Sequence, residues 1–183
     1  MFNVGDMLCR WFPVLLIVLA CLVAENFQAV HGGEIKGVVV GVHDGDSLTV
    51  LTTEKSQIKV RLEGIDAPEL NQAFGNASKK ALSDLVFGKT VRLVETGRDR
   101  YKRTLGNVYV GVIWVNLAVT ERGMAWFFAK YSKDDRLRFA EEEARQRKVG
   151  LWIEVAPQPP WEWRAKRKKN LTTVAARETW SLV

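Results

Sequence analysis

From residue 34 onward, apolar residues recur at every second position in short bursts: Val38, Val40 and Val42, then Leu48 and Val50, then Ile58, Val60 and Leu62. Alternation of period two places one set of side chains on one face of an extended segment, so the three bursts predict a three-stranded meander. The period then changes. Phe74, Ala77, Ala81 and Leu85 lie three and four apart with Gly88 just beyond, the spacing of a helix with an apolar stripe and a glycine end. Two more strands are expected at 91–95 and 105–110, and a short helix at 116–122 closed by Gly123. The last pronounced helix is expected from about residue 134 to 148. Ser132 and Asp135 have the form of a capping box, the glutamates at 141–143 precede Arg145, Arg147 and Lys148 as the helix dipole favours, and Leu137, Ala140, Ala144 and Leu151 give an inward stripe. Five strands, a helix after the third and further helices at the end predict an α+β fold: a five-stranded OB-type β-barrel with about three packed α-helices.

The N-terminus follows a different pattern. Residues 11–24 are apolar without interruption and follow Arg10, a stretch too short for a comfortable membrane span and suited to the core of a signal peptide. The expected organisation is an export segment at 1–32, a domain at 33–164 and a basic tail at 165–183, with the protein secreted or periplasmic. Two alternatives stay open: an uncleaved anchor holding the domain outside, and lipidation of Cys21, where Val18-Leu19-Ala20-Cys21 loosely resembles a lipoprotein box. The two cysteines, Cys9 and Cys21, both lie in this segment, so the remainder has neither disulfide nor thiol chemistry. That remainder has the length of one domain with a real core. The net charge of the chain is +6, and setting aside 1–32 removes Arg10 against Asp6 and Glu25, which makes the rest more basic still. A basic surface suits a polyanionic ligand. Near the end, Pro157-Gln158-Pro159-Pro160-Trp161-Glu162-Trp163-Arg164 reads as a proline-stiffened segment whose tryptophans lie back on the body. The basic residues from 166 to 169 read equally as a solvated end or as a nucleic-acid contact.

Three polar clusters carry the chemistry: Asp44-Gly45-Asp46-Ser47, the run from Arg61 through Asp66-Ala67-Pro68-Glu69, and Asp99-Arg100-Tyr101-Lys102-Arg103. Together they contain what hydrolysis of a phosphodiester needs, namely carboxylates for a divalent ion, a further carboxylate to activate water, and arginines that fit phosphate. Taken singly, each has a plainer meaning. Asp-Gly between apolar runs is a hairpin turn, an arginine on a strand is a solvated side chain, and a glutamate ahead of a helix compensates the helix dipole. Each cluster adjoins a predicted strand, so a closed sheet brings all three to one mouth.

In their order along the chain these clusters resemble the staphylococcal nuclease (thermonuclease) family over roughly residues 34–164. The resemblance rests on Val42-His43-Asp44-Gly45-Asp46-Ser47, on Val60-Arg61-Leu62-Glu63-Gly64-Ile65-Asp66-Ala67-Pro68-Glu69, and on Asp99-Arg100-Tyr101-Lys102-Arg103. It extends to Val115-Asn116-Leu117 with Gly123-Met124-Ala125-Trp126, and to Gly150-Leu151-Trp152. The resemblance implies a calcium-dependent endonuclease acting on DNA and RNA and leaving 3′-phosphate ends. It places the Ca²⁺ ligands at Asp46, Asp66 and the Ala67 carbonyl, with Asp44 as a turn residue or supporting partner. It makes Glu69 the group that activates or orients water, and Arg61 and Arg103 the arginines that meet transition-state charge. It gives Arg100 and Tyr101 contacts to a neighbouring phosphate and Tyr131 a place lining the base pocket. Two carboxylates bind calcium weakly, on the order of 10⁻⁴ to 10⁻³ M, which suits work outside the cytosol. No protein partner is expected, and a monomer is the default.

Three departures from the family pattern bear on these roles. Lys102 stands where the family commonly has glycine, so either the turn avoids a glycine-only conformation or Lys102 is strained. Ser47 replaces threonine and keeps the hydroxyl. Ala129 falls near the site of a second pocket tyrosine, which either weakens base stacking or shifts it to Trp126 or Phe128. The competing reading is a non-catalytic OB-fold module that binds nucleic acid through basic and aromatic surfaces. Retention of both arginines, the glutamate and the two acidic ligands argues for the enzyme.

Overall fold

The computed structural model describes residues 34–180, with side chains up to residue 170. The export segment expected at 1–32, with Cys9 and Cys21, lies outside the described residues. Strand β1 (Glu34–Val42) pairs antiparallel with β2 (Ser47–Thr52) on one side and with β5 (Thr90–Arg98) on the other. β2 pairs with β3 (Gln57–Leu62), and β5 with β6 (Thr104–Val110), again antiparallel. β3 then meets β6 in parallel, from Val60 opposite Thr104 to Leu62 opposite Gly106, and so closes the five strands into the expected barrel. Closure leaves each strand with two partners and pairs the backbone groups that an open edge would leave exposed.

Leu48, Val50, Val60, Leu62, Leu93 and Val108 fill the barrel. The alternation predicted for β2 and β3 therefore holds. That for β1 is off by one residue: Val38 and Val40 are exposed, while Gly37 and Val39 face inward. Three consecutive valines carry no alternation to read, and a bulge between Val39 and Gly41 then turns Val42 back against the core.

Three short strands were not expected. β4 (Ile65–Asp66) pairs with β8 (Trp126–Phe127) in a separate ladder, and β7 (Ile113–Trp114) folds back on β6. Helix α1 (Gly75–Val86) buries Ser78, Leu82, Leu85 and Val86 rather than Ala77 and Ala81. Phe74 stands at its N-cap and packs into a second apolar cluster of Trp126, Ala144, Leu151 and Trp152. Helix α2 (Val115–Glu121) ends as predicted at Gly123, whose φ of +64° is the left-handed conformation glycine adopts without strain. Helix α3 (Asp135–Gln146) is capped by Asp134, which accepts from the Arg136 N–H at 2.9 Å, so the cap lies two residues beyond Ser132. A 3-10 turn at Gly150–Ile153 brings Leu151 and Trp152 into the second cluster.

Helix α4 (Pro160–Trp180) starts on a proline, the residue best suited to a first helical position, and runs unbroken past residue 165, where a basic tail was expected to begin. Among the described residues it brings the α-helices to four, against about three expected. Trp161 does lie back on the body, its ring stacked on Phe128 at 5.2 Å and edge-on to Trp126 at 5.6 Å. Among the described residues, no helix is long and apolar enough to cross a membrane.

Candidate active site

The connection from β1 to β2 sets the first carboxylate. Asp44 Oδ1 accepts the Asp46 N–H at 3.0 Å and also the Ser47 hydroxyl, a turn that Asx residues favour and that fixes Asp46 at the mouth of β2. Gly45 sits so close to Ser78 and Ala67 that a Cβ there would overlap both. The buried Ser78 hydroxyl donates to the Met124 carbonyl at 2.6 Å, tying α1 to the turn ahead of β8. Asp46 is itself buried and accepts the Ala67 N–H at 2.6 Å.

Arg61 occupies the centre. In β3 it stands between Ser47 of β2 and Leu105 of β6, where the barrel closes, with its side chain on the face opposite Val60 and Leu62. One guanidinium nitrogen pairs with Asp46, and the other reaches Asp66 Oδ1 at 2.6 Å. The two acidic residues assigned to metal are thus brought together with the arginine assigned to phosphate. Glu69 follows on the turn after Pro68, its N–H donating to Gln72 Oε1 at 3.2 Å and its carbonyl accepting from the Gln72 N–H at 2.8 Å. Gly75 must lack a Cβ there, because one would overlap the Glu69 carbonyl.

A further arginine joins this cluster. Arg164, the fifth residue of α4, places Nη2 2.6 Å from Asp66 Oδ2 and Nη1 2.8 Å from Glu69 Oε1. No role was expected for Arg164 from the sequence. Its position directly after Trp163, in a segment read as lying on the body, was the available signal.

Burial pushes the Asp46 carboxyl well above the usual carboxylate range; Arg61 opposes that rise, and Asp44 and Asp66 add to it. Asp44 goes the other way: burial would raise it, but the hydrogen bonds from Ser47 and Asp46 and the charge of Arg61 hold it low. The cluster gathers four carboxyl groups, Asp44, Asp46, Asp66 and Glu69, around the guanidiniums of Arg61 and Arg164, and its side-chain donors to a cation are carboxylate oxygens alone. Such a donor set fits a hard divalent cation and offers nothing to a metal that prefers sulfur or nitrogen. Two carboxylates leave further ligand positions to carbonyls, water or phosphate. Among the described residues, no group of three His, Cys, Asp or Glu side chains converges as a metal cage.

Arg103 stands apart from this network. Asp99 Oδ1 accepts from the N–H groups of Tyr101 and Arg103 at 2.8 and 2.9 Å, and Asp99 Oδ2 accepts from Arg103 Nε at 2.7 Å. These bonds outweigh the effect of burial and hold the Asp99 carboxyl below its usual range. Lys102 has φ of +63°, so the strain foreseen for it is present and is borne by this tight Asp99-centred turn. Arg103 directly precedes Thr104, the partner of Val60, which puts its backbone at the same barrel rim as Arg61. Tyr101 is exposed under the guanidinium of Arg100, 4.8 Å from its ring centre. Tyr131 is also exposed and meets Phe128 edge-on at 4.9 Å. Trp126 is buried between Trp152 and Trp161 and offers no face for stacking.

Residues 59–154 match the family described as staphylococcal nuclease homologue. A protein of Haemophilus influenzae described as an uncharacterized endonuclease is 49% identical over 133 residues, covering 73% of this chain and 75% of its own length. A micrococcal nuclease of Shigella flexneri is 39% identical over 150 residues, 76% of this chain and 85% of that protein. An uncharacterized endonuclease of Escherichia coli is 42% identical over 159 residues, with 86% and 99% covered.

Proposed function

Since the chain belongs to the staphylococcal nuclease family and is a nuclease, we propose that it cleaves DNA and RNA internally, with calcium, by attack of water on phosphorus and release of the 5′-oxygen. The observation that carries this reading is the single cluster in which Arg61 spans the buried Asp46 and Asp66 beside Glu69. Asp46, Asp66 and the Ala67 carbonyl would hold the cation, which when bound supplies positive charge against the non-bridging phosphate oxygens. Glu69 accepts a proton from the attacking water. Arg61 and Arg103 donate to the equatorial oxygens, where negative charge grows as phosphorus becomes five-coordinate. The phosphorus–5′-oxygen bond breaks, that oxygen takes up a proton, and the phosphate stays on the 3′ side. Arg100, Tyr101 and Tyr131 line the approach and contact the adjoining phosphate and base. The segment at 1–32 is read as an export signal that delivers the nuclease outside the cytosol, where calcium is abundant enough for a two-carboxylate site.

The test is digestion of denatured DNA and of RNA with calcium and with chelator, followed by analysis of the product ends. Loss of activity in chelator, 3′-phosphate products and a fall of roughly 10² or more in rate for Glu69→Gln are expected. Undiminished cleavage in chelator would remove the cation from the reading, 5′-phosphate ends would reverse the leaving group, and a fully active Glu69→Gln protein would remove the water-activating role.

A further inference from the structure

Asp66 is held by two guanidiniums of different standing. Arg61 belongs to the barrel wall and its side chain is 17% exposed; Arg164 comes from α4 and its side chain is 42% exposed. Arg164 Nη2 and Nη1 lie 2.6 and 3.2 Å from the two oxygens of Asp66, and Nη1 also reaches Glu69. The fork therefore covers both oxygens of an assigned cation ligand and the group assigned to water.

A divalent cation on Asp66 would stand beside this guanidinium, and two positive groups on one carboxylate repel across a short, partly desolvated distance. Asp66 already carries two guanidiniums, and a third positive group makes one of these give way. Arg61 is the more buried of the two and is tied to Asp46 as well as to Asp66, on a strand held between β2 and β6. Arg164 can give way: it is exposed, as are the residues after it up to 170, and the start of α4 is seated separately by the buried Pro160, by Trp161 stacked on Phe128 and by Trp163. The preceding strap is fastened by Gln72, whose Nε2 donates to the Gln158 carbonyl at 2.5 Å while its Oε1 accepts from the Glu69 N–H. The strap and the Glu69 turn thus share one side chain.

We propose that Arg164 is a built-in competitor for the divalent cation: it occupies the Asp66–Glu69 position in the cation-free protein, sets the cation affinity of the site, and is displaced when the cation binds. The proposal rests on the reading of Asp66 as a cation ligand. Linkage makes the effect reciprocal, so whatever Arg164 takes from cation affinity, the cation takes from the docking of the first turn of α4.

Calcium binding to the full-length, metal-stripped chain, measured by titration calorimetry, tests this without reference to catalysis. Arg164→Gln is expected to bind calcium about 5- to 150-fold more tightly than the parent, the ordinary range of such coupling. Arg164→Lys is expected to fall between them, because one ammonium cannot fork across two carboxylates. Amide exchange over residues 160–164 is expected to quicken on calcium addition in the parent and to be quick already in Arg164→Gln. Equal or weaker calcium binding by Arg164→Gln overturns the proposal and leaves the cation reading standing. So does exchange in the parent that calcium leaves unchanged. Absence of calcium binding by all three proteins overturns both.

Discussion

Arg61 and Arg103 share one proposed chemical role and occupy different physical situations. Arg61 lies between two buried carboxylates, and burial, which would lower its proton affinity, is outweighed by Asp46 and Asp66. Removing it leaves the buried Asp46 without its guanidinium and Asp66 with Arg164 alone, and breaking a buried pair in this way typically costs about 3–5 kcal/mol. Arg103 sits on the rim, paired with Asp99 on a turn that the Asp99 backbone bonds hold without it. Arg61→Ala is therefore expected to lose stability in urea unfolding along with activity. Arg103→Ala is expected to lose roughly 10² to 10³ in rate while unfolding at nearly the parent urea concentration. Equal stability losses in the two variants would show that Arg61 is not the charge on which the fold depends. Both arginines were legible from their motifs. Arg164 was not, because its partner Asp66 lies 98 residues away and no local pattern links an arginine on a helix to a carboxylate on a remote strand.

Among the elements, α3 shows how a cap converts acidity into stability. The Asp134 carboxyl is held below its usual range first by the Arg136 side chain, with burial opposing and the Arg136 N–H adding to the effect. A depressed native value means the unfolded chain binds the proton more readily. The stabilisation is therefore full above the unfolded value of about 3.9 and is lost as pH falls through the lower native value. Asp134→Ala is expected to cost about 0.5–2 kcal/mol at pH 7. The gap between parent and variant should narrow as thermal unfolding is followed down toward pH 2.5, and a gap that stayed constant would contradict the assignment. Elements whose pattern was unambiguous, such as β2, β3 and α2, were readable from sequence. The face of β1 was not, since Val38, Val39 and Val40 are all apolar and only the bulge decides which turns inward. The stripe of α1 slipped because its buried face includes Ser78, a polar residue whose hydrogen bond to Met124 no periodicity announces.

For the whole molecule, the barrel supplies the site with rigidity and the surface supplies it with field. The net charge of +6 draws a polyanion toward the mouth over distances that dissolved salt shortens. With about three phosphates contacted, the KM for denatured DNA is expected to rise roughly twentyfold between 50 and 200 mM salt. A KM indifferent to salt would mean that the arginines at the rim do not meet phosphate in the bound state. Fold class and barrel closure were both inferable from strand order. The helical continuation of α4 beyond residue 164 was not, because a run of lysines and arginines has the same composition whether it is coiled or free.

The parallel join of β3 to β6 also imposes an order of events on a chain as it leaves the ribosome. Arg61 emerges early, yet its flank stays open until residues 104–106 arrive to pair with Val60, Arg61 and Leu62. A nascent or prematurely terminated chain that stops short of β6 holds all the acidic groups and no closed wall to aim them. A chain truncated before residue 104 is therefore expected to lack the wall that aims Arg61 between Asp46 and Asp66.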